Sequence, residues 1–368
     1  MDKGIDTNFG VVLLWGGKGA VWGGRSPRAL RAPGRERLTM TTVTVKPSEL
    51  VAALTTAIRA QRAVCIWGSP GVGKSQLVQQ TAAALGLACH DVRAVLLDPV
   101  DLRGLPFVNG DGRAHWAVPE FLPRDGAGVL FLDELNRAPV MTQNACFQLV
   151  LDRRLGEYTL PERWSVVAAC NHESDGGGVS RMSSGLASRF LHLTLVPDLA
   201  EWCTWAIGAG IEPVVIAFLR FRPELLYRFS REAHAFPQLR GWESVSRVVT
   251  QQPPADIELA LYAGTVGQEA GIEFCAFIKL YRSLPSIDAI LLNPASAPVP
   301  TDVATRYAVA SALAHRAGPA NFGRVVQYLD RLPTEYNVFA VRDATTRDAA
   351  LTSTPEFTQW AVQHADVF

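Results

Sequence analysis

A glycine-rich loop carries the clearest chemical signal in the sequence. Residues 68–75 read Gly-Ser-Pro-Gly-Val-Gly-Lys-Ser, between an apolar run and an amphipathic stretch. Glycines at this spacing let consecutive N–H groups surround phosphate oxygens, and a following helix N-terminus adds partial positive charge. Within the pattern, the lysine bridges the β- and γ-phosphates and the last hydroxyl is a ligand of Mg²⁺. We therefore predict a site for ATP and Mg²⁺, formed by Gly68, Ser69, Pro70, Gly71, Val72, Gly73, Lys74, Ser75 and Gln76.

Polar side chains also end two later apolar runs. Residues 129–132 lead into Asp133 and Glu134, 59 positions after Lys74. At the carboxyl end of a strand beside the phosphate strand, Asp133 could reach the Mg²⁺ shell and Glu134 could polarise the attacking water. Asn171 follows the run 165–170, and its neutral amide could hold the water or a γ-phosphate oxygen. Ordinary strand ends in solvated acids or in asparagine are the alternative interpretation.

The elements that would position these residues follow from the hydrophobic pattern. Continuous apolar runs alternating with helical stretches are typical of a parallel sheet that is buried on both faces. We predict an α/β fold in which a helix with Ser48 as its N-cap precedes the sheet. Helices are also predicted over 76–85 and 141–151. The predicted strands are Ala63–Trp67, Ala88–Val92, Val129–Asp133, Ser165–Cys170 and Leu191–Val196.

The chain divides into three parts by composition. Residues 1–39 are rich in Gly and Arg and lack periodicity, which predicts a disordered N-terminal extension. Residues 40–197 contain all the predicted strands and form the predicted nucleotide-binding domain. Residues 198–368 are predicted to form a helical lid and a C-terminal helical region, with helices over 213–221, 241–250, 257–266, 270–282, 302–316 and 321–331.

These motifs together resemble the AAA+ ATPases, and within them the MoxR-like group with its CbbQ/NorQ relatives. The resemblance covers roughly residues 48–250. Gly68–Ser75 is similar to the Walker A motif, Val129–Asn136 to Walker B, and Val166–Asn171 to the sensor 1 strand. Residues 97–123, with turn chemistry at 109–112, are similar to the insert in the second core helix. Residues 155–164 are similar to the hairpin that precedes sensor 1.

The resemblance also implies roles for two arginines. Ser188-Arg189-Phe190 is similar to the arginine-finger tripeptide of related ring helicases, which implies that Arg189 acts on the γ-phosphate of a neighbouring subunit. The run Leu239-Arg240-Gly241-Trp242-Glu243 is similar to the start of the sensor 2 helix, which implies a contact of Arg240 with the γ-phosphate in its own subunit. Arg181 and Arg137 are alternatives for the contact between subunits, and most arginines are surface charges or ion-pair partners.

Composition limits the function classes. The 35 basic residues, of which only five are lysine, balance the 35 acidic residues, so no long-range field attracts nucleic acid or a membrane surface. No apolar run approaches the ~20 residues that cross a bilayer. The six cysteines form no CxxC pair, which fits reduced thiols and a cytoplasmic location.

The predicted function is Mg²⁺-dependent ATP hydrolysis by a homo-oligomeric ring. The resemblance implies a hexamer that remodels or activates a partner protein, with a von Willebrand A domain protein as the client. Membrane and nucleic acid are not expected as partners. Two alternatives remain: a nucleic-acid motor, because the helicase branch shares the same inserts, and an ATP-dependent assembly scaffold with little turnover.

Overall fold

The computed structural model describes residues 43–110, 112–176, 178–179 and 182–365 of the 368-residue chain. The predicted extension over residues 1–39 lies outside the described residues, as does Arg181. Everything described below belongs to one compact unit that begins at Thr42.

Strands and helices occur in the following order. The strands are β1 (Val43–Val45), β2 (Val64–Trp67), β3 (Ala88–Arg93), β4 (Leu105–Val108), β5 (Ala114–Ala117), β6 (Gly128–Asp133), β7 (Arg154–Leu155), β8 (Tyr158–Thr159), β9 (Trp164–Cys170) and β10 (Leu191–Leu195). The helices are α1 (Pro47–Arg59), α2 (Lys74–Ala84), α3 (Pro99–Arg103), α4 (Val140–Asp152), α5 (Ser184–Ala187), α6 (Leu199–Gly208), α7 (Pro213–Phe221), α8 (Leu239–Thr250), α9 (Glu258–Val266), α10 (Gln268–Arg282), α11 (Ile287–Leu292), α12 (Val303–Arg316), α13 (Phe322–Leu329), α14 (Thr334–Arg347) and α15 (Pro355–Gln363).

Six strands form one parallel sheet in the order β1-β10-β2-β9-β6-β3. The five predicted strands are confirmed, and β1 is an additional edge strand that pairs with β10. Parallel strands place all their carboxyl ends at one edge of the sheet. The order therefore places the glycine-rich loop after β2, Asn171 after β9 and Asp133 at the end of β6 side by side.

Helices cover both faces of this sheet. Val64 and Ile66 pack in a core with buried residues of α1 and α2, such as Leu54 and Val78. Cys65 faces the other way, into a second core with α4 and α5. Alternate residues of a strand point to opposite faces, so a run that is apolar throughout is buried on both. This confirms the predicted α/β class.

The predicted start of α1 is wrong. Its N-cap is Lys46 and its first residue is Pro47, because the fixed φ of proline suits the first helical position. Ser48 lies within the first turn, and its Oγ donates a hydrogen bond of 2.6 Å to Glu201 Oε1. The serine therefore joins α1 to α6.

Two antiparallel hairpins leave the sheet domain where hairpins were predicted. In the first, β4 pairs with β5, and Gly112 N–H donates to Asn109 O at 3.0 Å to close the turn. A long second core helix around this insert is not formed, since α3 has only five residues. In the second hairpin, β7 pairs with β8.

Beyond β10 the described chain is helical, as predicted. The six predicted helices correspond to α7, α8, α9, α10, α12 and α13. Their side chains form two cores, one spanning Trp202 to Ala308 and the other Ile290 to Trp360. The helices α6, α11, α14 and α15 were not predicted. In the case of α14, buried polar residues such as Asn337 and Asp343 interrupt the apolar pattern.

Candidate nucleotide-binding and hydrolysis site

The phosphate loop, residues 68–75, connects β2 to α2 in the predicted position. Gly71 and Gly73 have φ values of 80° and 97°, a left-handed conformation that glycine adopts at little cost. A Cβ on Gly71 would lie 1.9 Å from Gln238 Oε1, so a side chain here would also displace that of Gln238 in the lid. Because α2 begins at Lys74, its first N–H groups are available to an anion at the loop.

Lys74 is buried at the centre of the loop. Its Nζ donates to Gly68 O at 2.5 Å, to Ser69 O at 3.3 Å and to Asn171 Oδ1 at 2.9 Å. Burial lowers the pKa of Lys74, and the nearby charge of Asp133 opposes that shift. All three recorded acceptors are neutral, so the ammonium group is suited to receive a phosphate.

Ser75 and Asp133 meet beside this lysine. Ser75 Oγ donates to Asp133 Oδ2 at 3.0 Å, and Asp133 Oδ1 accepts from Glu134 N–H at 2.9 Å. A hydroxyl and a carboxylate are hard oxygen donors of the kind that Mg²⁺ prefers. The two residues fit the predicted metal site.

Glu134 lies at the mouth of the site in an unusual backbone conformation. Its φ is 54°, which is uncommon for a residue with a side chain and costs of order 1–3 kcal/mol. Its Oε1 accepts from Arg137 Nη1 at 2.9 Å, and both side chains are about one third exposed. Arg137 therefore lies against the Glu134 of its own chain.

Asn171 is fixed by Asn136, a residue to which we assigned no role from the sequence. Asn136 Nδ2 donates to Asn171 O at 2.7 Å, and Asn136 Oδ1 accepts from Asn171 N–H at 3.1 Å. Both side chains are buried. The only sequence signal for this contact was the position of Asn136 within the Val129–Asn136 motif.

The lid and the loop after β9 also reach the phosphate loop. Tyr227 OH donates to Pro70 O at 2.9 Å, and burial raises the pKa of this tyrosine to about 12. Ser69 Oγ donates to Asp175 Oδ1 at 3.1 Å. Neither Tyr227 nor Asp175 has a local sequence signal.

The site contains a cavity of about 310 Å³, which is within the range of small-molecule sites. Its lining combines the phosphate loop with Asp133, Glu134 and Asn171, and Arg240 of α8 joins them from the lid. The lining also includes apolar and aromatic side chains that could contact a nucleobase, namely Pro47, Pro197, Trp202, Trp205 and Leu239.

Arg189 lies outside this cavity and is exposed. It stands two residues before β10, whose first residue, Leu191, pairs with Val64 at the start of β2. The phosphate loop follows the other end of β2. Arg189 therefore lies near the amino ends of the strands, whereas the phosphate loop lies at their carboxyl ends. This arginine is not brought together with the other predicted site residues.

No helix among the described residues is long and apolar enough to cross a membrane.

Part of the chain matches a known protein family. Residues 63–190 match the family described as AAA domain (dynein-related subfamily). Among solved structures, the chain is similar to a mutant of RuvB from Thermotoga maritima at 18% identity, covering 73% of this chain and 82% of that one with a TM-score of 0.39. NtrX from Brucella abortus in complex with ADP matches at 16% identity, covering 86% and 67% with a TM-score of 0.36. No curated protein matches significantly. The matched segment contains the phosphate loop, Asp133, Glu134 and Asn171, so residues 63–190 are assigned as an AAA domain and the chain as an ATPase.

Proposed function

We propose that this chain is a MoxR-like AAA+ ATPase that forms a homo-oligomeric ring and hydrolyses ATP at sites shared between neighbouring copies. One observation carries the proposal. Hydrogen bonds join Lys74 to Asn171 and Ser75 to Asp133 around one cavity at the carboxyl ends of the strands. Arg189, in contrast, is exposed near the amino ends of the strands of the same sheet. An arginine in that position can complete only the site of another copy, and six copies is the expectation from the family.

Each predicted residue has a role in this mechanism. Lys74 binds the β- and γ-phosphates, and Asn171 orients the attacking water. Glu134 accepts a proton from that water. Arg137 Nη1 donates to Glu134 Oε1, so this ion pair must open before that oxygen can accept a proton from water.

The remaining contacts come from the metal site, the lid and the neighbour. Ser75 and Asp133 would hold Mg²⁺, which when bound neutralises charge on the phosphates. Arg240 contacts the γ-phosphate from the lid of the same chain, and Arg189 of the neighbour stabilises the charge that develops in the transition state.

ATP hydrolysis is proposed to move the lid. The sheet cores involve residues from Val45 to Leu195, and a separate helical core begins at Trp202. We place the boundary between nucleotide-binding domain and lid at 197/198, where a hinge motion would change how Tyr227 and Arg240 approach the phosphate loop.

A protein is the proposed client. The β4–β5 hairpin exposes Leu105, Phe107 and Val108, which are 70%, 46% and 70% accessible. Exposed apolar side chains on a projecting hairpin suit contact with a protein better than contact with phosphates. The proposed partner class is a von Willebrand A domain protein, and the proposed location is the cytoplasm.

The test compares ATP hydrolysis by the unaltered chain, Glu134→Gln and Arg189→Ala, with the mass in solution measured with and without ATP. We expect a ring that turns over, an ATP-bound ring without turnover for Glu134→Gln, and a ring slowed by about 10³-fold or more for Arg189→Ala. Arg324→Ala, at another exposed arginine, is the control and should remain active. A monomer whose activity does not depend on Arg189 would overturn the shared site.

The alternatives give different results in the same preparation. A nucleic-acid motor would bind an oligonucleotide with an affinity that falls steeply as salt rises. A scaffold would form the ring with ATP but release no phosphate.

A further inference from the structure

We propose that Trp67 and His192 are positioning residues that connect the phosphate loop to the segment carrying Arg189. The inference rests on the proposed role of Arg189 between subunits. Trp67 is the last residue of β2 and directly precedes Gly68, and its Nε1–H donates to His192 Nδ1 at 2.8 Å. His192 Nε2 lies 2.7 Å from Ala187 O. Ala187 ends α5, two residues before Arg189.

The hydrogens of this connection have only one possible arrangement. An indole N–H can only donate and a carbonyl oxygen can only accept. His192 Nδ1 must therefore be unprotonated and Nε2 must carry the hydrogen, so the ring is neutral. We call these two consecutive hydrogen bonds the Trp67–His192 link.

Ring contacts hold both ends of the link in place. The Trp67 ring stacks on His172, with centroids 6.3 Å apart and planes inclined by 21°. His172 follows Asn171, so Trp67 adjoins both the phosphate loop and the residue that would orient water. At the other end, the ring of buried Phe190 lies 6.3 Å from that of His192. Arg189 is thus flanked by two residues, Ala187 and Phe190, that contact His192.

The Trp67–His192 link would couple the nucleotide site of one copy to that of the next. A shift of Gly68 or Asn171 on contact with the γ-phosphate would move Trp67, and through His192 it would move the segment that presents Arg189 to the neighbouring copy. Neither Trp67 nor His192 lines the cavity. Their effect should therefore appear in the neighbour's turnover rate and not in the affinity of their own site for nucleotide.

The experiment uses Trp67→Phe, which keeps an aromatic ring but removes the N–H donor. Trp164→Phe is the matched control, because Trp164 Nε1–H also donates a single hydrogen bond, 2.8 Å long, to Asp125 O from a strand of the same sheet. Wild-type chains are mixed with an excess of Glu134→Gln chains, which bind ATP but do not hydrolyse it. The wild-type sites then receive Arg189 mostly from the inactive chains, and phosphate release is measured per wild-type chain.

If the link positions Arg189, adding Trp67→Phe to the Glu134→Gln chains slows the wild-type sites by about five- to ten-fold, the effect of losing one hydrogen bond. Adding Trp164→Phe leaves the rate unchanged. His192→Ala in the inactive chains reproduces the Trp67→Phe effect, and the two substitutions together are no worse than one. The affinity of Trp67→Phe for ADP stays that of the wild type.

Three results would count against the link or against its basis. If Trp67→Phe slows hydrolysis only when it is in the hydrolysing chain, it acts on its own phosphate loop and the link is refuted. Equal effects of Trp67→Phe and Trp164→Phe would reduce the role to general stability. If adding Arg189→Ala to the inactive chains has no effect, the proposed shared site fails, whatever Trp67→Phe does.

Discussion

The direction of the Asn171 side chain depends on one buried amide. Asn136 binds both the N–H and the C=O of Asn171, and this leaves Asn171 Oδ1 directed at Lys74 Nζ. Because Asn136 follows Glu134 by two residues, it also fixes the turn on which the proposed base stands. Asn136, which does not line the cavity, thus holds the proposed base and the amide in position relative to Lys74.

Asn136→Ala should therefore slow ATP hydrolysis by at least about ten-fold, since small displacements of reacting groups cost that much. It should also lower the free energy of unfolding by about 1–3 kcal/mol, because two buried backbone groups lose their partner. The measurements are steady-state phosphate release at saturating ATP and urea denaturation.

Asn321→Ala is the control for this prediction. Asn321 also binds two backbone groups, Gly318 N–H through Oδ1 at 2.8 Å and Arg316 O through Nδ2 at 3.0 Å, but it lies in the C-terminal helical region. The Asn321→Ala variant should be less stable than the unaltered chain but keep its turnover number. Equal turnover by the two variants would show that Asn136 has only a structural role.

Among the elements, short apolar strands were the most predictable. The strands β2, β6 and β9 end at or next to residues of the predicted site, so the same local pattern predicted each strand and the site residues that follow it. The strand β1 was not predicted because it has three residues, of which one is buried. The helix α14 was not predicted because polar side chains lie on its buried face, where Trp360 Nε1–H donates to Asn337 Oδ1 at 2.7 Å.

The site was predictable only where its parts are local in sequence. Lys74 and Ser75 follow from the spacing of one loop. The contact of Tyr227 with Pro70 spans 157 residues, and that of Asn136 with Asn171 spans 35. Such contacts depend on which strands are neighbours and on how the lid packs, and no spacing within the chain encodes either.

The junction between α4 and the β7–β8 hairpin offers a test at this scale. Arg153 caps α4 with a φ of 56°, which glycine would adopt with less strain. Its guanidinium also donates to three carbonyl oxygens, those of Pro161 at 2.6 Å, Glu162 at 3.2 Å and Trp164 at 2.8 Å. Since these bonds outweigh the strain, Arg153→Gly should lower the free energy of unfolding by about 1–3 kcal/mol.

Gln252→Gly is the matched change, at an exposed residue with a φ of 51°. There the relief of strain is not opposed by lost side-chain hydrogen bonds, so stability should stay the same or rise. The measurement is the free energy of unfolding of both variants and of the unaltered chain, from urea denaturation. If Arg153→Gly were as stable as the unaltered chain, its bonds to the hairpin would contribute nothing.

At the scale of the whole molecule, an ion pair joins the two helical cores. Arg220 lies on α7, which contributes to the first core, and Asp343 lies on α14, which contributes to the second. Their atoms Nη2 and Oδ1 are 2.5 Å apart, and the guanidinium lies over the Phe339 ring at 4.7 Å. Asp343 is buried, so its charge depends mainly on this arginine, with a smaller contribution from the nearby charge of Arg342.

Burial raises the pKa of Asp343 from 3.8 to about 6, although the charge of Arg220 opposes the shift. The folded chain therefore takes up this proton at a higher pH than the unfolded chain. It follows that protonation of Asp343 makes the folded chain more stable as the pH falls from about 7 to 4. This contribution to the free energy of unfolding is lost as the pH rises through about 6. The difference in unfolding free energy between the unaltered chain and Asp343→Asn, measured across this range, should show that slope.

Arg220→Met keeps much of the packing against Phe339 but leaves a buried carboxylate without its cation. We expect it to lose about 3–5 kcal/mol of stability at neutral to mildly alkaline pH. The loss should shrink as the pH falls toward about 6, where Asp343 of the unaltered chain also takes up its proton and no longer needs a cation. Arg316→Met, which breaks the exposed pair with Asp288, should cost less than about 1 kcal/mol at any pH. A loss for Arg220→Met that stayed constant from about pH 5 to pH 8 would mean that the arginine acts through its packing, and that the two cores are not joined by charge.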